Sequence, residues 1–241
     1  MSNRLAVNIG NTNIKIGYKK ENELITASYP SAEFETNCTI LADVVFTEIY
    51  VASVVPDRNA EVAQFLEQQT GLVPTFLTAQ AAGFDLSGYD AGKVGMDRLM
   101  ACKGANTTPC VVFDLGTAIS ISVVDKDNVF RGGAILPGAT MNLEALYQKA
   151  ALLPKIEVED ITAVTAVVGN TTKACMVSGL VYGIASTVDG MARRIQKEMN
   201  LTAANLFITG GFAKYINAHL EENYRYNEHM VIEGVLNLTT H

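Results

Sequence analysis

Histidine is nearly absent from this 241-residue chain. There are three, His219, His229 and His241, all in the C-terminal tail and none in a motif. A Ser-His or Cys-His nucleophilic site would have to draw on that tail, so any catalytic acid or base points to a carboxylate. Cationic charge is also short: 18 Lys and Arg stand against 25 Asp and Glu, a net charge of −7 and a pI of about 5.0. The electrostatic footprint of a nucleic-acid binder is therefore missing. The four cysteines (Cys38, Cys102, Cys110, Cys175) lie far apart with no C-x-x-C pair, which argues against zinc or a disulfide framework and reads as buried, reduced thiols. No run of about twenty apolar residues occurs, so no ordinary membrane span is expected. The chain enters a strand-like stretch at once, without a basic and then apolar leader, and a cytoplasmic globular protein is expected. Neither of the common glycine-rich nucleotide motifs, G-x-x-x-x-G-K-[ST] or G-x-G-x-x-G, is present.

What is present is 49% hydrophobic residues, enough for one large domain or two of about 100–150 residues. Val7-Ile9 and Ile14-Ile16 alternate around Gly10-Asn11-Thr12-Asn13, the pattern of a β-hairpin with one buried face. "EIYVASVVP" (48–56) is a continuous apolar run, as a central strand would be. "AEVAQFLEQQTG" (60–71) has helical period and ends on Gly71, a C-cap. "VPTFL" (73–77) reads as a further strand and "MDRLMACKGA" (96–105) as a helix with Leu99 and Cys102 on one side.

At 110–124, "CVVFDLGTAISISVV" repeats the opening design of strand, glycine corner and alternating strand. Laid on the first hairpin, Asp114 falls on Asn8, Leu115 on Ile9 and Gly116 on Gly10. The chain thus carries one supersecondary unit twice, which predicts two similar domains, 1–108 and 109–241, facing each other across a cleft. Beyond the second hairpin, "RGGAILPGA" reads as a loop flanking a short strand, and 141–150 and 173–200 as helices. "NLFITGGFAKYI" is a strand stopping at Gly210-Gly211 before a helix. Strands alternating with helices give an α/β class. Within the long helix, 174–188 is apolar nearly all round with Ser178, Gly179, Gly183 and Ala185 interspersed, so it should be buried, in part against another subunit.

Three glycine corners follow strands: Gly10-Asn11-Thr12, Gly116-Thr117 and Thr209-Gly210-Gly211. Glycine lets a phosphate approach the backbone, and corner amides suit an anion. The arrangement resembles the actin, hexokinase and Hsp70 superfamily, whose duplicated ribonuclease H-like domains hold ATP between paired hairpins. Within it, "NIGNTNIK", "VASVVP", "GMDR", "DLGTAIS", "GGAILPG", "GNTTKACMVSGLVYG" and "TGG", in this order and spacing, resemble the type III pantothenate kinases.

The resemblance implies ATP-dependent phosphorylation of the pantothenate hydroxyl, the first committed step toward coenzyme A. In its terms Asp97 is the catalytic aspartate. Gly95, Met96 and Arg98 form the loop around pantothenate, with Tyr89 and Thr172 as further contacts, Thr172 contributed across a homodimer interface. The first hairpin, Asn8, Ile9, Gly10, Asn11, Thr12, Asn13, Ile14 and Lys15, faces ATP together with Thr117, Gly210 and Gly211. Asp114 is the ligand for a monovalent cation, K+ or NH4+, and Mg2+ accompanies the nucleotide. An aspartate at its ordinary pKa of about 3.9 is a weak base for an alcohol. Phosphoryl transfer tolerates that, because the hydroxyl proton leaves late and the carboxylate chiefly orients the nucleophile. From the residues alone, Asp97 is also a plain helix-start aspartate, and Thr172 also serves as a helix N-cap.

The sequence departs from the family's pattern at two places. Asn8 stands where aspartate is usual, and the loop from Tyr89 to Gly95 is one residue short, with Gly92 where proline is common. A nucleotide-binding regulator of the same fold, with catalysis reduced or lost, is the alternative that the first departure raises.

Overall fold

Apolar residues at every second position set the sheets. In the computed structural model, which describes residues 3–90, 92–158, 161, 166–201 and 205–238, the chain divides into two compact units. One comprises Met1–Thr107 with His229–His241, the other Thr108–Glu228.

In the first unit, β1 (Arg4–Ile9) lies at the centre of a five-stranded sheet. It pairs antiparallel with β2 (Asn13–Lys20) and parallel with β4 (Glu48–Ser53); β3 (Glu23–Pro30) and β5 (Thr75–Phe76) form the edges. Leu5, Val7 and Ile9 stand opposite Tyr18, Ile16 and Ile14, and all six are buried in one core with Ile49 and Val51. That face is closed by Phe34 of α1 (Phe34–Asn37) and by Val62 and Leu66 of α2 (Asn59–Thr70). Pleat alternation sends Ala6, Asn8, Lys15, Gly17 and Ala52 to the other face. A helix can lie close there because the residues are small: a Cβ on Gly17 would come 2.8 Å from the Ile232 side chain.

Ile232 belongs to α7 (Met230–Leu236), which returns from the chain's end to pack against β1 and against α3 (Met96–Gly104). The two helices meet at backbone distance. A Cβ on Gly104 would overlap the Met230 carbonyl, and one on Gly234 would overlap that of Met100. Arg4 closes the far end of α7 by donating to the Leu236 carbonyl (3.2 Å) while its guanidinium pairs with Glu48 (3.1 Å). This is the physical reason the second unit does not take in 109–241 as a continuous block: 229 onward has its apolar partners in the first unit.

The second unit repeats the topology. Its strands β6 (Cys110–Leu115), β7 (Ala118–Val124), β8 (Phe130–Pro137), β9 (Asn205–Thr209) and β10 (Tyr224–Tyr226) are ordered β10-β9-β6-β7-β8. Read from the opposite edge, this matches β3-β2-β1-β4-β5 strand for strand, with the same parallel and antiparallel pairings. Arg4–Ile9 and Cys110–Leu115 are equivalent central strands, so the alignment of Asp114 with Asn8 holds structurally. The segment 131–139, expected as a loop around a short strand, is instead mostly β8. Pairing along β7 keeps even Gly132 and Gly133 in the ladder, at φ of +84° and +145°.

The core of this unit sets Val111, Phe113, Leu115, Ile119 and Ile121 against α4 (Ala139–Lys149), α5 (Thr172–Glu198) and α6 (Ala213–Ile216). By length and composition α5 could cross a membrane, but half of its most apolar stretch is buried, as in a core helix. Asp189, 2% exposed on α5, accepts from the amides of Glu221 (2.9 Å) and Glu222 (3.2 Å) and from the Tyr224 hydroxyl (3.1 Å), anchoring the approach to β10.

None of the four cysteines is in a disulfide, but the expectation of uniform burial fails. Cys102 and Cys110 are buried, Cys38 is half-buried with its thiol pushed up to about 11 by desolvation, and Cys175 is exposed.

Candidate active site

The first corner is a tight one. The Gly10 amide donates to the Asn13 carbonyl (3.0 Å), Ser31 N to the Thr12 carbonyl (2.8 Å), and Val54 N to the Ile9 carbonyl (3.1 Å). Asn11, Thr12 and Asn13 are exposed, while the Ile9 and Ile14 side chains are fully buried. Those two therefore have only backbone to offer a ligand. Asn8 and Lys15 are cross-strand partners on one face. The Asn8 Oδ1 is buried with no hydrogen-bond partner among the described residues. Buried acceptors are nearly always satisfied, so this oxygen is open to a donor that binds beside it.

Asp97 lies in the first turn of α3, one residue past its first position. Its Oδ1 accepts from the Arg98 amide (2.8 Å). Gly95 makes this fold-back possible, since a Cβ there would come 2.5 Å from Asp97 Oδ1. Desolvation raises the Asp97 carboxyl above the ordinary carboxylate range, against the pull of the Arg98 amide and guanidinium. Asp97 is thus a better proton acceptor than its residue type alone implies. Arg98 is 7% exposed; its guanidinium donates to the Tyr89 hydroxyl (3.1 Å) and lies 5.9 Å from that ring's centre. The loop before α3 thus brings Tyr89 to the start of that helix. It is tightened by an Asp90–Lys93 turn (Lys93 N to Asp90 O, 2.9 Å). Met96 is buried and turned away from solvent.

In the second unit, β6 ends on Asp114 and Leu115 beside β9, with Asp114 opposite Thr209. Gly210 follows with φ +91°, a backbone that favours glycine, and a Cβ there would come 2.6 Å from Asp114 Oδ1. The two glycine corners of this unit are therefore one locus, tied by Phe212 N to the Leu115 carbonyl (3.1 Å). Gly116, Thr117 and Gly211 are exposed or partly exposed there, and Thr117 O accepts from Gly138 N (3.1 Å).

Thr172 is exposed at the first position of α5. The helix cap is Thr171, whose Oγ1 accepts from Ala174 N at 3.1 Å, so the capping role expected of Thr172 falls one residue earlier. Thr172, Cys175, Gly179, Gly183 and Ser186 recur every three or four residues and are all exposed; a Cβ on Gly179 or Gly183 would meet nothing within 4 Å.

Ser31 and Arg58, behind the first corner, are not among the residues expected from the sequence. They lie 27 residues apart and no local pattern marks either. Among the described residues there is no cluster of three or more His, Cys, Asp or Glu. A carboxylate flanked by backbone oxygens, as at Asp114, fits a hard cation of low charge. The orphan oxygen of Asn8 fits a metal-bound water as donor.

Two sheets of identical strand order, each with a polar residue next to last on its central strand before a glycine corner, define a duplicated ribonuclease H-like fold of the actin-like ATPase and kinase class. Solved structures of that shape superpose along nearly the whole chain. A Campylobacter jejuni protein described as a Baf family transcriptional activator aligns over 97% of this chain and 96% of its own, with TM-score 0.63 at 18% identity. The ethanolamine utilization protein EutJ of Carboxydothermus hydrogenoformans covers 98% and 89%, with TM-score 0.53 at 13% identity. At those identities the likeness is one of fold. The family follows from sequence: the type III pantothenate kinase pattern matches residues 4–194. Type III pantothenate kinases of Shouchella clausii (30% identical, 96% of each chain) and Finegoldia magna (32% identical, 88% of this chain and 87% of the other) agree. The chain belongs to the type III pantothenate kinase family, phosphotransferases with an alcohol group as acceptor.

The raised Asp97 carboxyl carries a stability signature. A folded-state pKa above the unfolded value means that the native state holds the proton more tightly. Ionising Asp97 therefore costs stability, from about pH 3.9 upward, and the cost is complete above the folded pKa. Asp97→Asn removes the charge and keeps the acceptor oxygen. It should raise Tm at pH 7–8, and the gain should shrink to nothing as pH falls below about 4. If Asp97→Asn instead lowers Tm at pH 8, the carboxylate is not desolvated.

Proposed function

We propose that the protein transfers the γ-phosphoryl group of ATP to the hydroxyl of pantothenate, giving 4′-phosphopantothenate, as a cytoplasmic enzyme. The observation that carries the reading is the assembled acceptor locus: Gly95 yields space, Asp97 is held desolvated, and Arg98 is fixed through Tyr89. A regulator without catalysis has no need of a desolvated carboxylate at a helix start, which costs stability and binds nothing by itself. Asp97 orients the acceptor hydroxyl and takes its proton as the bond to phosphorus forms; its raised pKa suits that role. The corner of each unit, Gly10–Lys15 and Gly116-Thr117 with Gly210-Gly211, is assigned to the nucleotide through backbone amides, and Lys15 supplies positive charge. Magnesium, when bound with ATP, neutralises phosphate charge. Asn8 would hold it through one of its waters, and Asp114 would hold K+ or NH4+, offsetting the repulsion of a carboxylate beside phosphates.

The direct test is ATP-dependent phosphorylation of pantothenate by the purified protein, in potassium, ammonium and sodium salts at constant ionic strength. Activity should be higher in the first two, and Asp97→Asn should lower kcat by about 10²–10⁴-fold with pantothenate binding retained. A wild-type kcat in the Asp97→Asn variant would take Asp97 out of the mechanism.

The protein is further proposed to act as a homodimer with Thr172 of one subunit completing the site of the other. The exposed stripe of small residues on α5 supports this, because it lets a second backbone approach closely. Sedimentation during turnover should find the dimer; a fully active monomer would exclude Thr172 from the site.

Replacing the usual carboxylate by Asn8 removes one charge near a dication, worth roughly a few kcal/mol in a partly wet site and less through a water. Asn8→Asp should then lower the KM for Mg-ATP by about one to two orders of magnitude, at tenfold per ~1.4 kcal/mol. Superimposable magnesium titrations of the two forms would place Asn8 away from the metal.

A further inference from the structure

The first corner is held from behind by a side chain that no part of the chemistry above uses. Arg58 ends a short 3-10 turn, Pro56–Arg58, that leads into α2. Its Nη2 donates to the Ser31 carbonyl at 2.7 Å and to both carboxylate oxygens of Glu35 at 2.7 and 2.9 Å, and its Nη1 pairs with Glu61. Ser31 in turn donates its amide to the Thr12 carbonyl at 2.8 Å. One residue away from the guanidinium, then, is the tip of the hairpin. The next residue, Asn59, grips the other side: its Oδ1 accepts from Ser53 Oγ at 2.6 Å, and Ser53 is the β4 residue opposite Ile9. The Arg58–Glu35 pair is about four-fifths buried on both partners (22% and 21% exposed), so it is screened less than a surface pair.

We infer that Arg58 is a positioning residue for the nucleotide: through Ser31 it sets where the Thr12 carbonyl, and hence the amides of the Gly10–Asn13 corner, stand. The inference rests on the assignment of that corner to phosphates. Because Arg58 has its charge matched by Glu35 and Glu61, it acts by holding backbone rather than by attracting phosphate. A tight corner with small, exposed side chains has no packing of its own to hold it. Oxyanion-type recognition by backbone amides depends on donors being fixed before the ligand arrives. Lysine cannot fully replace arginine here, since a single ammonium lacks the planar fork that reaches Ser31, Glu35 and Glu61 together.

The experiment combines steady-state kinetics with amide hydrogen exchange on the intact protein, for Arg58→Ala, Arg58→Lys, Glu35→Gln and, as the control on the underlying assignment, Lys15→Ala. Arg58→Ala should raise the KM for ATP about five- to twentyfold while kcat at saturating ATP and the KM for pantothenate stay within about twofold. Arg58→Lys should recover part of that loss. Glu35→Gln should shift the ATP KM in the same direction by less. The amides of Ser31 and Gly10 should exchange faster in Arg58→Ala, with those of α3 unchanged. Unchanged exchange at Ser31 and Gly10 would overturn the brace. Faster exchange with an unaltered ATP KM, while Lys15→Ala does raise it, would show a brace that does not serve the nucleotide. If Lys15→Ala leaves the ATP KM unaltered, the phosphate assignment of the corner fails, and the positioning role with it. A general loss of folding in Arg58→Ala would show as faster exchange throughout α3, and Glu35→Gln, which leaves Arg58 its bond to Ser31, then decides by the same two readouts.

Discussion

The central strand of each sheet is bonded on both sides, antiparallel to one neighbour and parallel to the other, and this double ladder is what the chemistry hangs on. A strand held on both edges cannot slip by a residue without turning its whole apolar set to the wrong face. The last two positions of the strand are therefore fixed in space. In one unit they deliver Asn8 to a glycine corner, in the other Asp114. With Leu5, Val7 and Ile9 locked into the core on one face, Asn8 has no choice but the other, together with Lys15.

The setting of Asp97 depends on a second constraint, the position of α3. That helix is buried nearly all round, and α7 clasps it at backbone distance through Gly104 and Gly234. Any side chain at either glycine would push the helices apart, and the start of α3 would move with them. A partly buried carboxylate is sensitive to such a shift, because its pKa reflects how far solvent is excluded. The final residues of the chain thus matter to Asp97 although they are far from it in sequence. Destabilisation confined to one turn is a common accompaniment of function, since a group prepared to accept a proton is not at its own energetic optimum.

Position 8 and the loop between Tyr89 and Gly95 are accommodated differently. The loop keeps Tyr89 on Arg98, and the Lys93 amide donates back to the Asp90 carbonyl. At position 8 an acceptor oxygen is buried without a donor among the described residues. An aspartate in the same place would bring a buried charge, costlier to desolvate than the neutral amide.

Much of this was legible in the residues. Period-two alternation around Gly10 and Gly116 marked the hairpins, and their similarity marked the duplication, because a half-buried strand must alternate wherever it occurs. Asp97 at a helix start and the small residues of α5 were visible for the same reason, since helical spacing shows in the sequence. Non-local partnership was not visible. Nothing in "MVIEGVL" says that it returns to the first unit, and nothing near Arg58 says that it reaches Ser31; local pattern carries no record of which surfaces meet. The raised Asp97 carboxyl belongs to the same class. Residue type sets the reference pKa, but desolvation is a property of everything packed around the group, and only the tertiary structure decides it.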